Sequence, residues 1–202
     1  MNIEIGDLRK KDCNKAIGYA IEGMHFDWYL NSRMLLYAYG KYFWYMEMNR
    51  ATLVLAAYVD GEFSGVLLAE MYGEEKKHQS LRERLYIKLA AWVQRRFFKS
   101  GAGVYEKTIR ELQSDYLKTS KPDGELLFLA AKPNSVKGIG SALLAAFAER
   151  APGKTVFLHT DDACTYQFYE HRGFERVEER QVLLEVPKGQ VPLRCFIYCK
   201  TL

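Results

Sequence analysis

The sequence predicts an α/β fold of the α+β kind, a sheet of about seven strands flanked by helices within one domain over residues 1–202. Three observations predict it. A hairpin is spelled out by two apolar runs, 52–59 and 62–70, around the turn pair Asp60-Gly61. Residues 125–131, six of seven apolar, suit a strand covered on both faces and run through a glycine turn into a helix over 139–150. A second strand-then-helix unit follows, the strand at 155–160 and the helix opening at Asp161 or Asp162 and stopping at Gly173.

The remaining elements fall in order around these. Residues 3–8 alternate as a strand, and helical segments follow at 12–23 and 28–42. After the hairpin, 80–98 and 104–117 read as two helices, the first with Leu81, Leu85, Lys88, Leu89 and Trp92 marking a partly apolar face. Residues 174–186 and 191–200 form a closing antiparallel pair joined through 187–190. The chain thus divides into an N-terminal strand, helices and hairpin (1–70), a helical insertion (71–121) and a C-terminal core (122–202).

Hydrophobic residues at 49% and charged residues at 27% are globular composition and exclude disorder. The net charge of +4 is too small and too scattered to argue for nucleic acid. Residues 74–121 carry a local excess of +6, twelve cations against six acids, read as a solvated helical face. The first residues carry no signal-peptide-like apolar run, and no stretch approaches a membrane span. Cys13, Cys164, Cys195 and Cys199 form no metal-type pair. On one extended strand Cys195 and Cys199 would sit roughly 13 Å apart, beyond disulfide reach. A reduced, cytoplasmic protein is expected.

The chemistry centres on the helix start at 138–141. Unpaired N–H groups and the positive end of the helix dipole favour an anion there, and Gly138 and Gly140 remove side chains that would hold a pyrophosphate away. On spacing alone a ligand site and a plain direction-changing turn are equally good readings. The third Rossmann glycine falls at Leu143, and the Walker lysine and hydroxyl are missing, so neither nucleotide fingerprint is met.

Val136-Lys137-Gly138-Ile139-Gly140-Ser141-Ala142-Leu143-Leu144, followed about thirty residues later by Phe168-Tyr169-Glu170-His171-Arg172-Gly173-Phe174, resembles the acetyl-CoA core of the GCN5-related N-acetyltransferase (GNAT) family. The likeness is specific between 125 and 174 and covers 52–199 in outline. It implies a mixed, mostly antiparallel central sheet and acetyl-CoA as acetyl donor, and the helical insertion before the central strand, the pair over 71–120, is longer than a compact acetyltransferase needs. By the resemblance the main chain of Val136, Lys137, Gly138, Ile139, Gly140 and Ser141 would hold the CoA pyrophosphate. Leu129, Ala130 and Ala131 would pair with the pantetheine arm, and Asp162 and Tyr166 would lie near it. Two positions depart from the family: Ser135 stands where a Gln or Arg is usual, and Asp162 where an Asn is usual.

Acetyl transfer from a thioester to an amine needs a neutral amine, a polarised carbonyl and a proton for the leaving thiolate. The resemblance assigns the proton donor to Tyr169, against the alternative of an ordinary packing tyrosine. Glu125, read by alternation as sharing a face with Leu127, Leu129 and Ala131, is the candidate base, and His159 is the next. The acceptor pocket is expected from the helices before Thr52, the hairpin tip and the closing strand pair. The aromatic cluster of Phe26, Trp28, Tyr29, Tyr37, Tyr39, Tyr42, Phe43, Trp44 and Tyr45 is expected to be mostly core, with a minority lining an amine cleft. The expected activity is N-acetylation of a primary amine of a small molecule or peptide, without nucleic acid or membrane as partner and with a homodimer left open. The competing reading is a silent acyl-CoA-binding regulatory module.

Overall fold

A computed structural model of the protein describes residues 2–28, 30, 32–97, 101–133, 135–186 and 189–202. Its strands are β1 (Ile3–Gly6), β2 (Leu53–Val59), β3 (Glu62–Met71), β4 (Gly124–Ala131), β5 (Thr155–Asp161), β6 (Glu175–Val186) and β7 (Gly189–Thr201). They form one seven-stranded sheet in the order β1-β2-β3-β4-β5-β7-β6. Every neighbouring pair is antiparallel except β4 and β5, which run parallel. A parallel pair needs a crossover, and α5 (Ile139–Arg150) supplies it. The β2–β3 turn has Asp60 and Gly61 both at positive φ, 50° and 80°, the geometry whose twist matches a two-residue hairpin.

The two sheet faces carry different cores. On one, Leu143 and Phe147 of α5 pack against Leu126, Leu158, Phe196 and Tyr198. On the other, Ile17 of α1 (Cys13–Gly23) and Trp44 of α2 (Arg33–Arg50) meet Leu68 and Phe128. Further along that second face, Leu112 and Tyr116 of α4 (Gly101–Thr119) cover Phe157, Leu193 and Ile197. None of the helices is long and apolar enough to cross a membrane among the described residues.

Two expectations need correction. The second helix is α2, running from Arg33 to Arg50 rather than 28–42, because Trp28 belongs to a separate 3-10 turn, Phe26–Trp28, and Trp44 and Glu47 extend the inward face to the extended Ala51. The helix expected from Asp161 shrinks to α6 (Gln167–Glu170). Asp161 ends β5 instead, and its carboxylate accepts the N–H groups of Ala163 and Cys164 at 3.0 and 3.1 Å, holding that stretch in a turn. The apolar face of α3 (Leu81–Phe97) points outward: Leu81 is 82% and Leu85 69% exposed. The insertion splits, with α3 fixed to α2 by the Tyr86 hydroxyl donating to the Ala38 carbonyl, and α4 fixed to β6 by Arg180 pairing with Glu111 and Asp115. Tyr29, Phe98, Asn134, Pro187 and Lys188, parts of the motifs and turns expected from the sequence, lie outside the described residues.

Candidate active site

The sheet is forked at its centre. Only Gly124–Val156 and Glu125–Phe157 pair β4 with β5, and beyond them the two strands diverge. The cause on the β4 side is a bulge: Phe128 opposes Leu68 and Leu126 opposes Ala69, so Leu127 has no counterpart on β3. The Lys132 N–H donates to the Ser64 carbonyl on β3 at 2.7 Å. Alternation then turns the Ala130 N–H to β3 as well, and aims the N–H groups of Leu129 and Ala131 at the open fork. A groove of about 480 Å³ fills the fork, lined by Leu129, Ala130, Ala131 and Gly140 together with Thr160, Cys164, Phe168 and Tyr169.

At the head of the groove Gly138 is the N-cap of α5 with φ 99°, a left-handed conformation that an L side chain resists. The first in-helix bond runs from the Ala142 N–H to the Gly138 carbonyl, so the amides of Ile139, Gly140 and Ser141 are those a helix start offers to an anion. The two glycines differ in purpose. A Cβ on Gly140 would lie 2.8 Å from Cζ of Phe168, so its missing side chain admits the Phe168 ring rather than a pyrophosphate. The Ser141 hydroxyl accepts from the Arg172 guanidinium, which itself lies 3.7 Å from the Phe168 ring centroid. This clamp explains why the two sequence motifs occur together: the second one braces the helix start of the first. Val136 packs on the core, Ile139 is buried and Lys137 is exposed.

Asp162 and Tyr166 are not on the groove lining. The Asp162 carboxylate accepts the Arg194 N–H and guanidinium at 2.9 and 3.0 Å, and these bonds outweigh its partial burial to hold its pKa below the ordinary value. The Tyr166 ring packs against Phe196. Tyr169 does line the groove, with its ring against Phe168 and Phe174. Burial raises its pKa well above that of a free phenol, so it carries its proton at neutral pH. Cys164, pushed up to about 12 by burial and the Asp161 charge, stays a thiol.

The bulge also moves Glu125. Below Leu127 the alternation is out of step with the rest of β4, so Glu125 shares the α2 face with Phe128 and Ala130, not with Leu129 and Ala131. There it is 4% exposed and pairs with Arg50, while His159 Nδ1 lies 3.3 Å from its Oε1. Burial opposes its charge, but the His159 hydrogen bond and the Arg50 charge outweigh burial and hold its pKa below the ordinary value. His159 Nε2 is buried without a hydrogen-bond partner. Arg50 also binds Glu47 at 3.3 Å and Glu70 at 3.1 Å. Burial pushes Glu47 up to about 8, against the pull of Arg50 and helped by the charges of Glu125 and Glu70.

These groups close one end of a second cavity, of about 350 Å³, which opens into the groove past His159, Tyr105 and Met24. Its walls come from the α1–α2 region, from α4 and from Leu193 of β7. The hairpin tip, expected to contribute, is not on its lining, and α4, part of the insertion, is. Phe26, Trp28, Tyr39, Tyr42 and Phe43 line it, whereas Trp44 is core and Tyr45 packs on Tyr86. Sequence reasoning missed Glu47, Arg50 and Tyr105. The available signal was the only acid of α2, Glu47, three residues after Trp44 and three before Arg50. The Tyr105 hydroxyl donates to Asp161 at 3.1 Å, tying α4 to the end of β5.

The seven-stranded, mostly antiparallel sheet with its parallel β4–β5 crossover is a GNAT-like fold, and solved structures share it. PaiA N-acetyltransferase of Thermoplasma acidophilum, solved with coenzyme A, is similar at 16% identity and TM-score 0.55 over 100% of both chains. Arylalkylamine N-acetyltransferase 2 of Aedes aegypti is similar at 15% identity and TM-score 0.63 over 100% of this chain and 99% of its own. The ribosomal-protein-S18-alanine N-acetyltransferase of Escherichia coli is similar at 14% identity and TM-score 0.56 over 99% and 94%. The sequence matches no family model and no curated protein.

Proposed function

We propose that this protein is an N-acetyltransferase that takes acetyl-CoA as donor and a primary amine as acceptor. The observation that carries the reading is the fork, because it provides an unpaired strand edge leading from an anion-binding helix start to a titratable cluster. The residues present fit the donor. The α5 amides and Lys137 suit a diphosphate, and the outward amides of Leu129 and Ala131 suit an amide-bearing arm laid beside β4 as an added strand. Neighbours of the same fold include an enzyme solved with coenzyme A and several named for amine acceptors.

In this reading the Ala131 N–H, which faces the fork, polarises the thioester carbonyl. His159 Nε2, oriented through Nδ1 by Glu125, takes the proton of the attacking amine. A C–N bond forms, the C–S bond breaks, and the Tyr169 hydroxyl gives its proton to sulfur. Tyr169 and His159 reach the groove from opposite faces of the sheet, so acid and base flank the reacting carbon. Thiol release from acetyl-CoA that depends on an added primary amine tests the reading, and release that ignores the amine contradicts it.

A further inference from the structure

The cavity beyond His159 is polar at one end and aromatic elsewhere. The polar end holds Glu47, Arg50, Glu125 and His159, while Phe26, Trp28, Tyr39, Tyr42, Phe43 and Ile109 supply the walls. The rings are already locked against each other: Phe26 meets Tyr39 edge-on at 4.7 Å and Phe43 at 5.5 Å, and Phe43 meets Phe128 at 5.6 Å. Resting on the acetyl-transfer reading, we propose that the acceptor is a small primary amine carrying a ring-sized apolar body, an arylalkylamine, rather than an amino acid, a polyamine or a peptide.

Charge settles which end of the acceptor goes where. Three carboxyls, Glu47, Glu70 and Glu125, share the Arg50 guanidinium; Glu70 also pairs with Lys76, and Glu125 with the His159 ring. With Glu47 neutral, the charges of Glu70 and Glu125 balance those of Arg50 and Lys76, so the polar end accepts an ammonium by ionising Glu47. It also adjoins the groove through His159, Leu126 and Leu127, so an amine held there faces the thioester. Glu47, neutral by burial around pH 7, ionises more readily beside an arriving ammonium.

The alternatives fail on the same residues. An amino acid would place its carboxylate beside the ionised Glu125, with Arg50 already committed. A polyamine needs a second acidic end, but Glu106 on α4 is already engaged, Asp161 is held by Tyr105, and Arg110 stands exposed on the lining. At roughly 30 Å³ per water, the cavity of about 350 Å³ has space for a ring on a short chain. A lysine side chain of a peptide is a methylene thread that would leave the ring-width walls uncovered.

The test compares phenethylamine with phenylalanine, which adds only the carboxylate, with putrescine and with a lysine-containing peptide. Amine-dependent CoA release is measured for each, and binding of each to the CoA-loaded protein is followed by calorimetry. Phenethylamine is expected to exceed every other acceptor in kcat/KM by at least about a hundredfold. Tyr42→Ala is expected to raise its KM roughly tenfold while the KM for acetyl-CoA stays unchanged. Turnover of putrescine, phenylalanine or the peptide without phenethylamine binding overturns the acceptor assignment and leaves acetyl transfer standing. Phenethylamine binding without turnover of any amine supports the assignment and removes the acetyl-transfer reading. An unchanged KM for phenethylamine in Tyr42→Ala also overturns the assignment.

Discussion

His159 Nδ1 lies 3.3 Å from Glu125 Oε1, where β4 and β5 begin to part, and Nε2 of the same ring, on a residue that lines both groove and cavity, has no hydrogen-bond partner. The pairing depends on the Leu127 bulge, which puts Glu125 on the same sheet face as His159.

His159→Asn is expected to lower turnover by about a hundred- to ten-thousand-fold, the range for loss of a positioned base. Glu125→Gln should cost less and mainly below the amine's pKa, with the defect shrinking as pH rises and the amine loses its proton unaided. Rate profiles of the wild type and both variants across pH check this. Wild-type profiles in both would mean that water, not His159, takes the proton.

Tyr169→Phe is expected to reduce kcat by roughly ten- to ten-thousand-fold with CoA affinity nearly unchanged, because the ring that packs on Phe168 and Phe174 is kept and only the acidic hydroxyl is lost. Unaltered turnover where chemistry limits the rate would pass the role to another donor.

The two loop glycines should respond differently. Gly138→Val forces a β-branched residue to φ 99° in open space, costs about 1–2 kcal/mol, and is expected to weaken CoA binding at least tenfold by reshaping the α5 start. Gly140→Ala presses on Phe168, and its main effect is expected on stability. Calorimetry with CoA alongside denaturant unfolding separates the two, and full CoA affinity in a folded Gly138→Val variant would place the site elsewhere.

Glu47 gives the fold a pH dependence of known sign. Its ordinary pKa of 4.5 governs the unfolded chain, and about 8 governs the fold, so between these values the folded state holds the extra proton. The associated stability is complete below about pH 4.5 and is lost as pH rises to about 8. Glu125 is shifted downward, so its contribution is complete above pH 4.5 and adds no slope in that window. Glu47→Gln is expected to gain stability relative to the wild type as pH goes from 5 to 8. Urea unfolding at several pH values checks this, and parallel curves would contradict it.

The strands were legible because their cues are local: the Asp60-Gly61 turn, the apolar run ending at Ala131, and the closing strand pair all lie within two or three residues of their sequence positions. The helix start at Gly138 was legible for the same reason. Glu125 was visible as a residue but not as a geometry, since a bulge is set by the pairing of β4 with β3 and leaves no local mark on either strand. The Glu47–Arg50 pair and Tyr105 depend on how α2 and α4 pack across the second sheet face, contacts separated by tens of residues. Asp162 misled because an aspartate after a strand caps a helix and pairs with a neighbouring strand's arginine equally well, and here Arg194 of β7 takes it.

The central claim is direct transfer between bound acetyl-CoA and a bound amine, with Tyr169 and His159 on either side of the reacting carbon. Mass spectrometry of a single turnover with isotopically labelled acetyl-CoA and phenethylamine tests it most directly. The account predicts one labelled N-acetylated amine for each CoA released and no label on the protein. Label retained on the chain, at Cys164 or elsewhere, or acetyl-CoA bound and left intact as in a silent binding module, would contradict it.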